Sequence, residues 1–311
     1  MANFKVAIVG AGVCGLYLGW KLSEKGYPVT IFEKKEKIGK KVCSGLFSQR
    51  ILEFIPESQK LIKNQIDSTL IHFPKRTLKI KFSKKMLVMD HWELDNLLVS
   101  LTKKVGTKII LNRYLKSLPE GFDRIIGCDG PNSFVRKSLC LKEPSFRLAI
   151  QGFISEKNNS NFVETWAVEK GFIWKIPRGE KTEYGIIAPL KKASEIFNNF
   201  LDKNNLKIDN MKSAIVPQGL IIPSHASITL CGDAVGLTKP WSGGGVIWGL
   251  TAADILLKNF PDLLKYKKEM KKVFSAKILS SKIITKITYF LGFKAAWLFP
   301  KNMKIESDFL T

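Results

Sequence analysis

The sequence predicts an α/β protein in which a doubly wound parallel sheet is interleaved with a second, antiparallel sheet. Two observations carry this prediction. Short apolar segments surround a glycine-rich turn near the N-terminus, and longer segments of alternating residues occur twice further along the chain. With 311 residues, 45% of them hydrophobic, the chain can bury the core that such a fold needs.

The first three predicted elements are a strand, a helix and a strand. Residues 5–9 are apolar and β-branched, as in a strand buried on both faces, and residues 13–25 carry apolar side chains at helical spacing. A second short strand is predicted at residues 29–32, and it ends at Glu33. This order is typical of a parallel βαβ unit with a tight turn after its first strand.

The second sheet is predicted from two separate parts of the chain. Residues 70–88 and about 146–215 alternate in character, which favours antiparallel strands, and a helix interrupts the latter part at residues 191–204. No linker separates the two sheets, so we expect interleaved domains. The predicted division is a first domain of residues 1–69, 88–145 and 216–260, a second of residues 70–87 and 146–215, and a basic helical tail of residues 261–311.

The composition narrows the classes of partner and site. The formal charge of +23 attracts anionic partners such as acidic lipid surfaces or phosphorylated substrates, although lysines that merely coat the surface would give the same value. No nucleic-acid-binding signature is present, so we predict no nucleic-acid partner. Five cysteines without a C-x-x-C pair and three scattered histidines predict neither a disulfide framework nor a metal site, and therefore a reducing, cytoplasmic compartment.

The N-terminal residues run straight into the first strand, so we expect no signal peptide. No uninterrupted apolar segment reaches the roughly 18 to 20 residues that a membrane-spanning helix needs. We therefore expect a protein that is soluble or lies on a membrane surface.

Gly10, Gly12 and Gly15 form a G-x-G-x-x-G pattern between the first strand and its helix. The first glycine permits a tight turn, the second lets the backbone approach a pyrophosphate, and the third allows close packing of helix on strand. The helix N-terminus then faces the phosphates. Glu33 lies 18 residues beyond Gly15, where its carboxylate can accept hydrogen bonds from a ribose. This constellation predicts dinucleotide binding.

Two later motifs resemble those of the aromatic-hydroxylase-like flavoproteins. Residues 126–136 (IGCDGPNSFVR) resemble their G-x-D-G-x-x-S-x-V-R segment, and residues 231–236 (CGDAVG) resemble their second Gly-Asp motif. The resemblance implies FAD as the cofactor of a Rossmann-like domain. It also implies cofactor contacts from Asp129 and Asp233, with Asp233 on the ribityl or ribose hydroxyls.

Gly243, Gly244 and Gly245 open a predicted helix after residues 240–242 (PWS). A glycine run at a helix start presents free backbone N–H groups to a negative centre. In the resembled proteins this loop lies beside the pyrimidine edge of the flavin. The resemblance therefore implies that the three glycines stabilise the anionic reduced flavin.

Three segments resemble those of the geranylgeranyl reductases in particular. Residues 41–45 (KVCSG) resemble a K-x-C-S-G segment in which the cysteine faces the flavin and the substrate cavity. Residues 171–177 (GFIWKIP) resemble the Y-x-W-x-F-P motif that lines the isoprenoid cavity, and residues 232–245 fit the family's long glycine-rich run. The implied roles are catalysis by Cys43 and substrate contacts by Phe172, Trp174 and Pro177.

Several residues depart from the family pattern. Phe172 replaces a tyrosine and Ile176 a phenylalanine, and His91 stands where the family has an arginine. We interpret His91 as a structural histidine whose ring nitrogens are satisfied. The aromatic motif also fits the W-x-W-x-I-P motif of flavin-dependent halogenases, whereas Cys43 and residues 232–236 favour a reductase.

The tail after Pro261 interleaves lysines with apolar residues and ends in aromatic side chains. This pattern is typical of a helix on an anionic membrane surface, and equally of a solvated helix packed on the body of the protein. Peripheral attachment to the cytoplasmic face of a membrane is therefore one of two open interpretations.

The family resemblance implies an FAD-dependent reductase that hydrogenates isolated double bonds of isoprenoid, geranylgeranyl-type chains on membrane lipids or their precursors. The sequence has no second dinucleotide fingerprint. We therefore expect the flavin to be reduced either by NADPH that docks transiently or by a ferredoxin-like carrier. Two alternatives stay open: an oxygen-using flavin monooxygenase or halogenase, and a non-catalytic membrane-associated flavoprotein.

Overall fold

A computed structural model describes residues 4–39, 43–300 and 302–305. Within them the strands are β1 (Val6–Val9), β2 (Val29–Phe32), β3 (Leu46–Ser48), β4 (Asn64–Phe73), β5 (Arg76–Val88), β6 (Lys108–Ile110), β7 (Arg124–Gly127), β8 (Ser145–Ile154), β9 (Phe162–Val168), β10 (Gly171–Pro177), β11 (Thr182–Pro189), β12 (Asp209–Gln218), β13 (Ile228–Leu230) and β14 (Asn302–Ile305). The α-helices are α1 (Val13–Glu24), α2 (Ile51–Phe54), α3 (His91–Lys104), α4 (Phe134–Ser138), α5 (Ala193–Lys203), α6 (Val246–Asn259) and α7 (Leu263–Lys294).

Five parallel strands form the first sheet, in the order β13-β7-β1-β2-β6. Val6, Ala7 and Ile8 are completely buried, because helices such as α1 cover this sheet. The predicted doubly wound α/β fold is confirmed. Since the strands run the same way, the loops after β1, β2, β7 and β13 meet at one edge of the sheet, where ligands bind in open α/β folds.

Nine strands form the second sheet, in the order β12-β8-β11-β10-β9-β4-β5-β14, with β3 paired to β5. Most pairs are antiparallel as predicted, but β4 runs parallel to β9 and β5 runs parallel to β14. Parallel neighbours need a long crossover rather than a hairpin. The chain supplies it by returning to the first sheet between β5 and β8, so the second sheet is mixed rather than wholly antiparallel.

The predicted basic tail forms α7 and ends in β14 of the second sheet. The first half of α7 packs into the hydrophobic core around the first sheet through the buried side chains of Tyr266, Met270 and Phe274. The Tyr266 hydroxyl donates to the carbonyl oxygen of Leu230 at 3.0 Å. Along the residues that the structure describes, no helix combines the length and the apolar character that crossing a bilayer requires.

The division into two interleaved domains remains a prediction. β4 crosses the boundary placed after residue 69, and β14 brings part of the tail into the second sheet. On this sheet, α5 packs its buried Phe197 and Leu201 into a hydrophobic cluster with Tyr184 and Ile186. The opposite face of β11 carries Ile187, which lies against Gly243.

Candidate functional site

The glycine-rich turn joins β1 to α1 with backbone that only glycine can supply. Gly10 has φ of 102°, and a Cβ there would lie 2.5 Å from the carbonyl oxygen of Cys128. A Cβ on Gly15 would lie 2.0 Å from the carbonyl oxygen of Gly10, so Gly15 permits close packing of the helix. Gly12 is the N-cap of α1 and no side chain caps this helix. The uncapped N-terminus leaves backbone donors for an anion.

Glu33 lies at the end of β2, directly beside the glycine-rich turn. Its Oε2 accepts the amide of Ala11 at 2.8 Å, and its Oε1 accepts the amide of Lys35 at 3.0 Å. These bonds orient the carboxylate over the N-terminal end of α1. Each oxygen keeps a lone pair with which to accept a further hydrogen bond from a ligand hydroxyl.

The loop after β7 carries Asp129. Its Oδ2 accepts the amide of Val135 at 3.1 Å, whereas its Oδ1 is buried without a hydrogen-bond partner among the described residues. A buried carboxylate oxygen without a partner is costly unless a ligand completes its hydrogen bonding. Together with the side-chain-free positions Gly10 and Gly12 and the uncapped start of α1, this oxygen fits a bound dinucleotide.

Arg136 ties the two aspartate-containing loops together. The guanidinium is completely buried, and it donates to the carbonyl oxygens of Pro131 at 2.6 Å and Ala234 at 2.9 Å. It also pairs with the carboxylate of Glu143. The arginine of the first motif therefore holds the neighbouring loop that carries Asp233.

The Gly243–Gly245 loop packs tightly between α6 and the second sheet. A Cβ on Gly243 would lie 2.4 Å from Cδ1 of Ile187, and one on Gly245 would lie 2.9 Å from Oδ1 of Asp233. The amides of Gly243 and Gly244 already donate to the Lys239 carbonyl oxygen and to Ser242 Oγ. Two of the three amides are therefore already hydrogen-bonded, whereas the sequence predicted free N–H groups along the whole glycine run. No side chain caps α6, however, so its N-terminus still presents a positive end.

Cys43 lines the same cavity as the glycine-rich turn and Gln151 of the second sheet. The first two residues of its motif, Lys41 and Val42, lie outside the described residues. The Cys43 Sγ accepts the amide of Gly45 at 3.4 Å, and the Gln151 side chain donates to the Cys43 carbonyl oxygen at 3.2 Å. Burial raises the pKa of the Cys43 thiol, but the positive charge of the neighbouring His91 ring outweighs burial and lowers this pKa overall.

His91 is the first residue of α3, and it stands beside Cys43 rather than in a purely structural position. Its Nε2 lies 3.5 Å from Oδ1 of the completely buried Asp95, one helical turn further on. Burial lowers the pKa of the imidazole, but the charges of Cys43 and Asp95 raise it to about 10. Neither ring nitrogen completes a hydrogen bond within the described residues, so the predicted satisfied histidine is not observed.

The aromatic motif forms β10, in which alternate side chains share one face. Phe172, Trp174 and Ile176 line the cavity described below. Pro177 was predicted as a substrate contact, but it is the next residue along the strand and is absent from that lining. The alternation of the pleat explains the difference, because neighbouring residues point to opposite faces.

One cavity of about 1030 Å³ joins these groups. Apart from Gly15 and Pro177, every predicted site residue lines it: Gly10, Gly12, Glu33, Cys43, Asp129, Phe172, Trp174, Asp233, Gly243, Gly244 and Gly245. One end lies against the glycine turn and the aspartates. The other end is lined by apolar side chains of β5 and β10, among them Leu78, Ile80 and Phe82.

One wall of the cavity is formed by α7, a contribution with no signal in the sequence motifs. Ile284, Thr285, Thr288 and Tyr289 line it, and the Tyr289 hydroxyl donates to the carbonyl oxygen of Gly171 at 2.7 Å. Helical spacing in the tail was visible in the sequence. Which face of the helix turns inward is decided by its contact with β10, and that contact has no local sequence signal.

Comparisons with known proteins agree with this geometry. Residues 8–49 match the family described as "NAD(P)-binding Rossmann-like domain". A digeranylgeranylglycerophospholipid reductase of Methanococcoides burtonii is 23% identical over 344 aligned positions, which cover 93% of this chain and 84% of the relative.

Solved structures show the same fold. A geranylgeranyl bacteriochlorophyll reductase-like protein from Thermoplasma acidophilum superposes with a TM-score of 0.79 at 21% identity, covering 93% of this chain and 88% of the other. A flavin-dependent brominase superposes with a TM-score of 0.75 at 14% identity, covering 93% and 89%. The predicted resemblance is confirmed: the chain is similar over most of its length to digeranylgeranylglycerophospholipid reductases and has the fold of the flavin-dependent oxidoreductases.

Proposed function

We propose that this protein is an FAD-dependent reductase that hydrogenates isolated double bonds of geranylgeranyl-type chains on glycerophospholipids or their precursors. The observation that carries the proposal is one continuous cavity with two unlike ends. We call the end against the glycine turn and the aspartates the polar crevice, and the end lined by β5 and β10 the apolar chamber. The two meet beside Cys43 and the Gly243–Gly245 loop. The names of the homologous reductases support the choice of substrate.

The polar crevice would hold FAD. The backbone at Gly10 and Gly12 would receive the pyrophosphate at the start of α1, and Glu33 would accept hydrogen bonds from a ribose. Asp129 and Asp233 would accept further hydroxyl or ring donors, and the N-terminus of α6 would stabilise negative charge near residues 243–245. When bound, reduced FAD supplies hydride-transfer chemistry to the site.

The apolar chamber would hold the isoprenoid chain. Phe172 and Trp174 form one side, and the alternating face of β5 with Leu78 and Ile80 forms another. An isolated double bond has no polar group through which the protein could activate it. Exclusion of water and alignment of the chain against the polar crevice would therefore provide much of the catalysis.

Cys43 and His91 would supply the proton. Saturating one double bond requires one hydride and one proton, on adjacent carbons. His91 keeps its proton at neutral pH because the neighbouring Cys43 and Asp95 raise its pKa to about 10. We propose that this proton moves from the imidazolium to Cys43 Sγ and from there to the carbon, and that His91 is then reprotonated from solvent.

The direct test is anaerobic incubation of FAD-loaded, dithionite-reduced protein with a geranylgeranyl glycerophospholipid, followed by mass spectrometry. The proposal expects two hydrogens added for each reduced double bond, and a much lower yield for Cys43→Ser. Cys140→Ser, which changes an exposed thiol, is the control. Failure to add hydrogens would overturn the proposal, and a product that forms only with oxygen would favour the monooxygenase or halogenase alternative. NADPH and reduced ferredoxin can then replace dithionite to identify the reductant.

A further inference from the structure

The second half of α7 exposes an unusual row of apolar side chains. Leu279, Ile283, Ile287 and Phe290 are 61%, 48%, 52% and 66% exposed. Their spacing of four, four and three residues places them on one side of the helix. We call these four side chains the α7 outer face. Large exposed apolar patches on proteins commonly mark interaction sites.

Positive charge surrounds the α7 outer face. Lys282, Lys286 and Lys294 are exposed on the same half of the helix. The sequence from residue 270 to residue 305 contains eight lysines and no aspartate or glutamate. An apolar row flanked only by cations complements an anionic lipid surface, where acyl chains receive the apolar side chains and headgroups receive the lysines.

The opposite side of the same helical segment lines the cavity. Ile284 and Thr288 contribute to the lining, and Tyr289 is fixed to β10 through its hydroxyl. Just beyond the helix, Trp297 is 74% exposed and Leu298 is 53% exposed, while Arg76 donates to the carbonyl oxygen of Trp297 at 2.9 Å. This part of α7 therefore forms a wall between the apolar chamber and the outer surface.

We propose that the α7 outer face docks onto an anionic lipid bilayer. A second copy of this chain is a poorer occupant, because a two-fold contact through this face would bring Lys282, Lys286 and Lys294 close to the same lysines of the other copy. Docking would place the apolar chamber one helix away from the bilayer. The additional step, transfer of a lipid chain past α7 into the chamber, rests on the proposed function.

The experiment is co-sedimentation of the full chain with large unilamellar vesicles of phosphatidylglycerol and phosphatidylcholine, with pure phosphatidylcholine vesicles for comparison. We expect binding to the anionic vesicles that weakens with salt. Ile283→Ser with Ile287→Ser should reduce the partition coefficient at least about tenfold, because burial of two large aliphatic side chains is lost. Lys282→Gln, Lys286→Gln and Lys294→Gln together should remove most of the salt dependence.

Matched controls separate this face from general effects. Lys103→Gln, Lys104→Gln and Lys108→Gln remove the same charge from exposed positions at the end of α3 and the start of β6, and should leave binding nearly unchanged. Met211→Ser removes an apolar side chain of similar exposure, 51%, from β12. Unchanged vesicle binding by the Ile283→Ser, Ile287→Ser variant would overturn the proposal. Dimerisation of the wild-type chain that this variant abolishes would overturn it too, by assigning the face to a second copy.

Assays of lipid reduction distinguish a failure of the docking surface from a failure of the proposed function. The Ile283→Ser, Ile287→Ser variant should reduce detergent-dispersed lipid normally and bilayer-embedded lipid poorly. If the wild-type chain binds vesicles through this face but reduces neither form of lipid, the docking surface stands and the proposed function fails. If the wild-type chain reduces both forms without binding vesicles, the docking surface fails and the proposed function stands.

Discussion

The indole of Trp174 donates its Nε1–H to Oε1 of Glu183 at 2.9 Å, across the hairpin of β10 and β11. Glu183 is completely buried, and its Oε2 accepts from Nη2 of Arg178 at 2.7 Å. Arg178 also donates to the carbonyl oxygen of Ser44, next to Cys43. One buried carboxylate therefore connects the aromatic wall of the cavity with the segment that carries the candidate catalytic thiol.

We expect Glu183→Gln to destabilise the fold. The substitution leaves Arg178, whose side chain is 8% exposed, without its buried anionic partner, and such losses cost roughly 3 to 5 kcal/mol. The free energy of unfolding in urea measures the effect. Glu180→Gln is the control, since Glu180 pairs with Lys157 at the surface and should change the free energy by less than about 0.5 kcal/mol. Equal effects of the two substitutions would contradict the proposed link.

Glu33→Arg should weaken FAD binding by roughly tenfold to a hundredfold. It places a cation where a ribose hydroxyl donor is expected, and it removes the acceptor of the Ala11 amide. Quenching of flavin fluorescence on titration gives the dissociation constant. Glu36→Arg makes the same charge change at an exposed position of the same loop and should bind FAD almost normally. Normal affinity in Glu33→Arg would remove Glu33 from the cofactor site.

Alkylation of Cys43 should be fast at neutral pH and should depend on His91. The positive charge of His91 lowers the pKa of the thiol. His91 carries this charge at neutral pH because its own pKa is raised from 6.5 to about 10. In His91→Gln, burial remains and the charge is lost, so the pKa of Cys43 should rise. The thiolate fraction at neutral pH then falls about tenfold for each unit of that rise.

Peptide mapping after timed treatment with iodoacetamide measures this rate, in a Cys140→Ser background that removes the exposed thiol. Plotted against pH, the wild-type rate should level off at lower pH than the rate of His91→Gln. Superimposable profiles would show that His91 does not act on the thiol.

The local parts of the fold were predictable from the sequence, because each rests on neighbouring residues. The glycine turn, the apolar strand before it and Glu33 after β2 all lie within residues 5–33, and the structure places them as one unit. The motif of residues 171–177 was also local, but it was interpreted as a consecutive segment without regard to the alternation of side chains along a strand. Pro177 departed from its predicted place only because a motif of consecutive letters hides that alternation.

Other parts could not be predicted because they depend on contacts distant in sequence. The parallel pairing of β4 with β9 requires two separate visits of the chain to one sheet. The position of His91 beside Cys43 depends on how α3 packs relative to β3, and no spacing rule encodes that distance. The inward face of α7 likewise follows from its contact with β10.

Arg136→Lys should loosen the two loops that carry Asp129 and Asp233. Lysine keeps the charge but lacks the planar fork, so it cannot reach the carbonyl oxygens of both Pro131 and Ala234. A carbonyl group left unpaired in the interior costs about 1 to 3 kcal/mol, so the melting temperature should fall.

FAD should then stabilise the Arg136→Lys variant less than the wild type, because ligand stabilisation follows affinity. Thermal unfolding with and without FAD measures both effects, with the exposed neighbour Lys137→Gln as control. If Arg136→Lys unfolds like the wild type and gains the same stabilisation from FAD, the loops do not depend on this guanidinium.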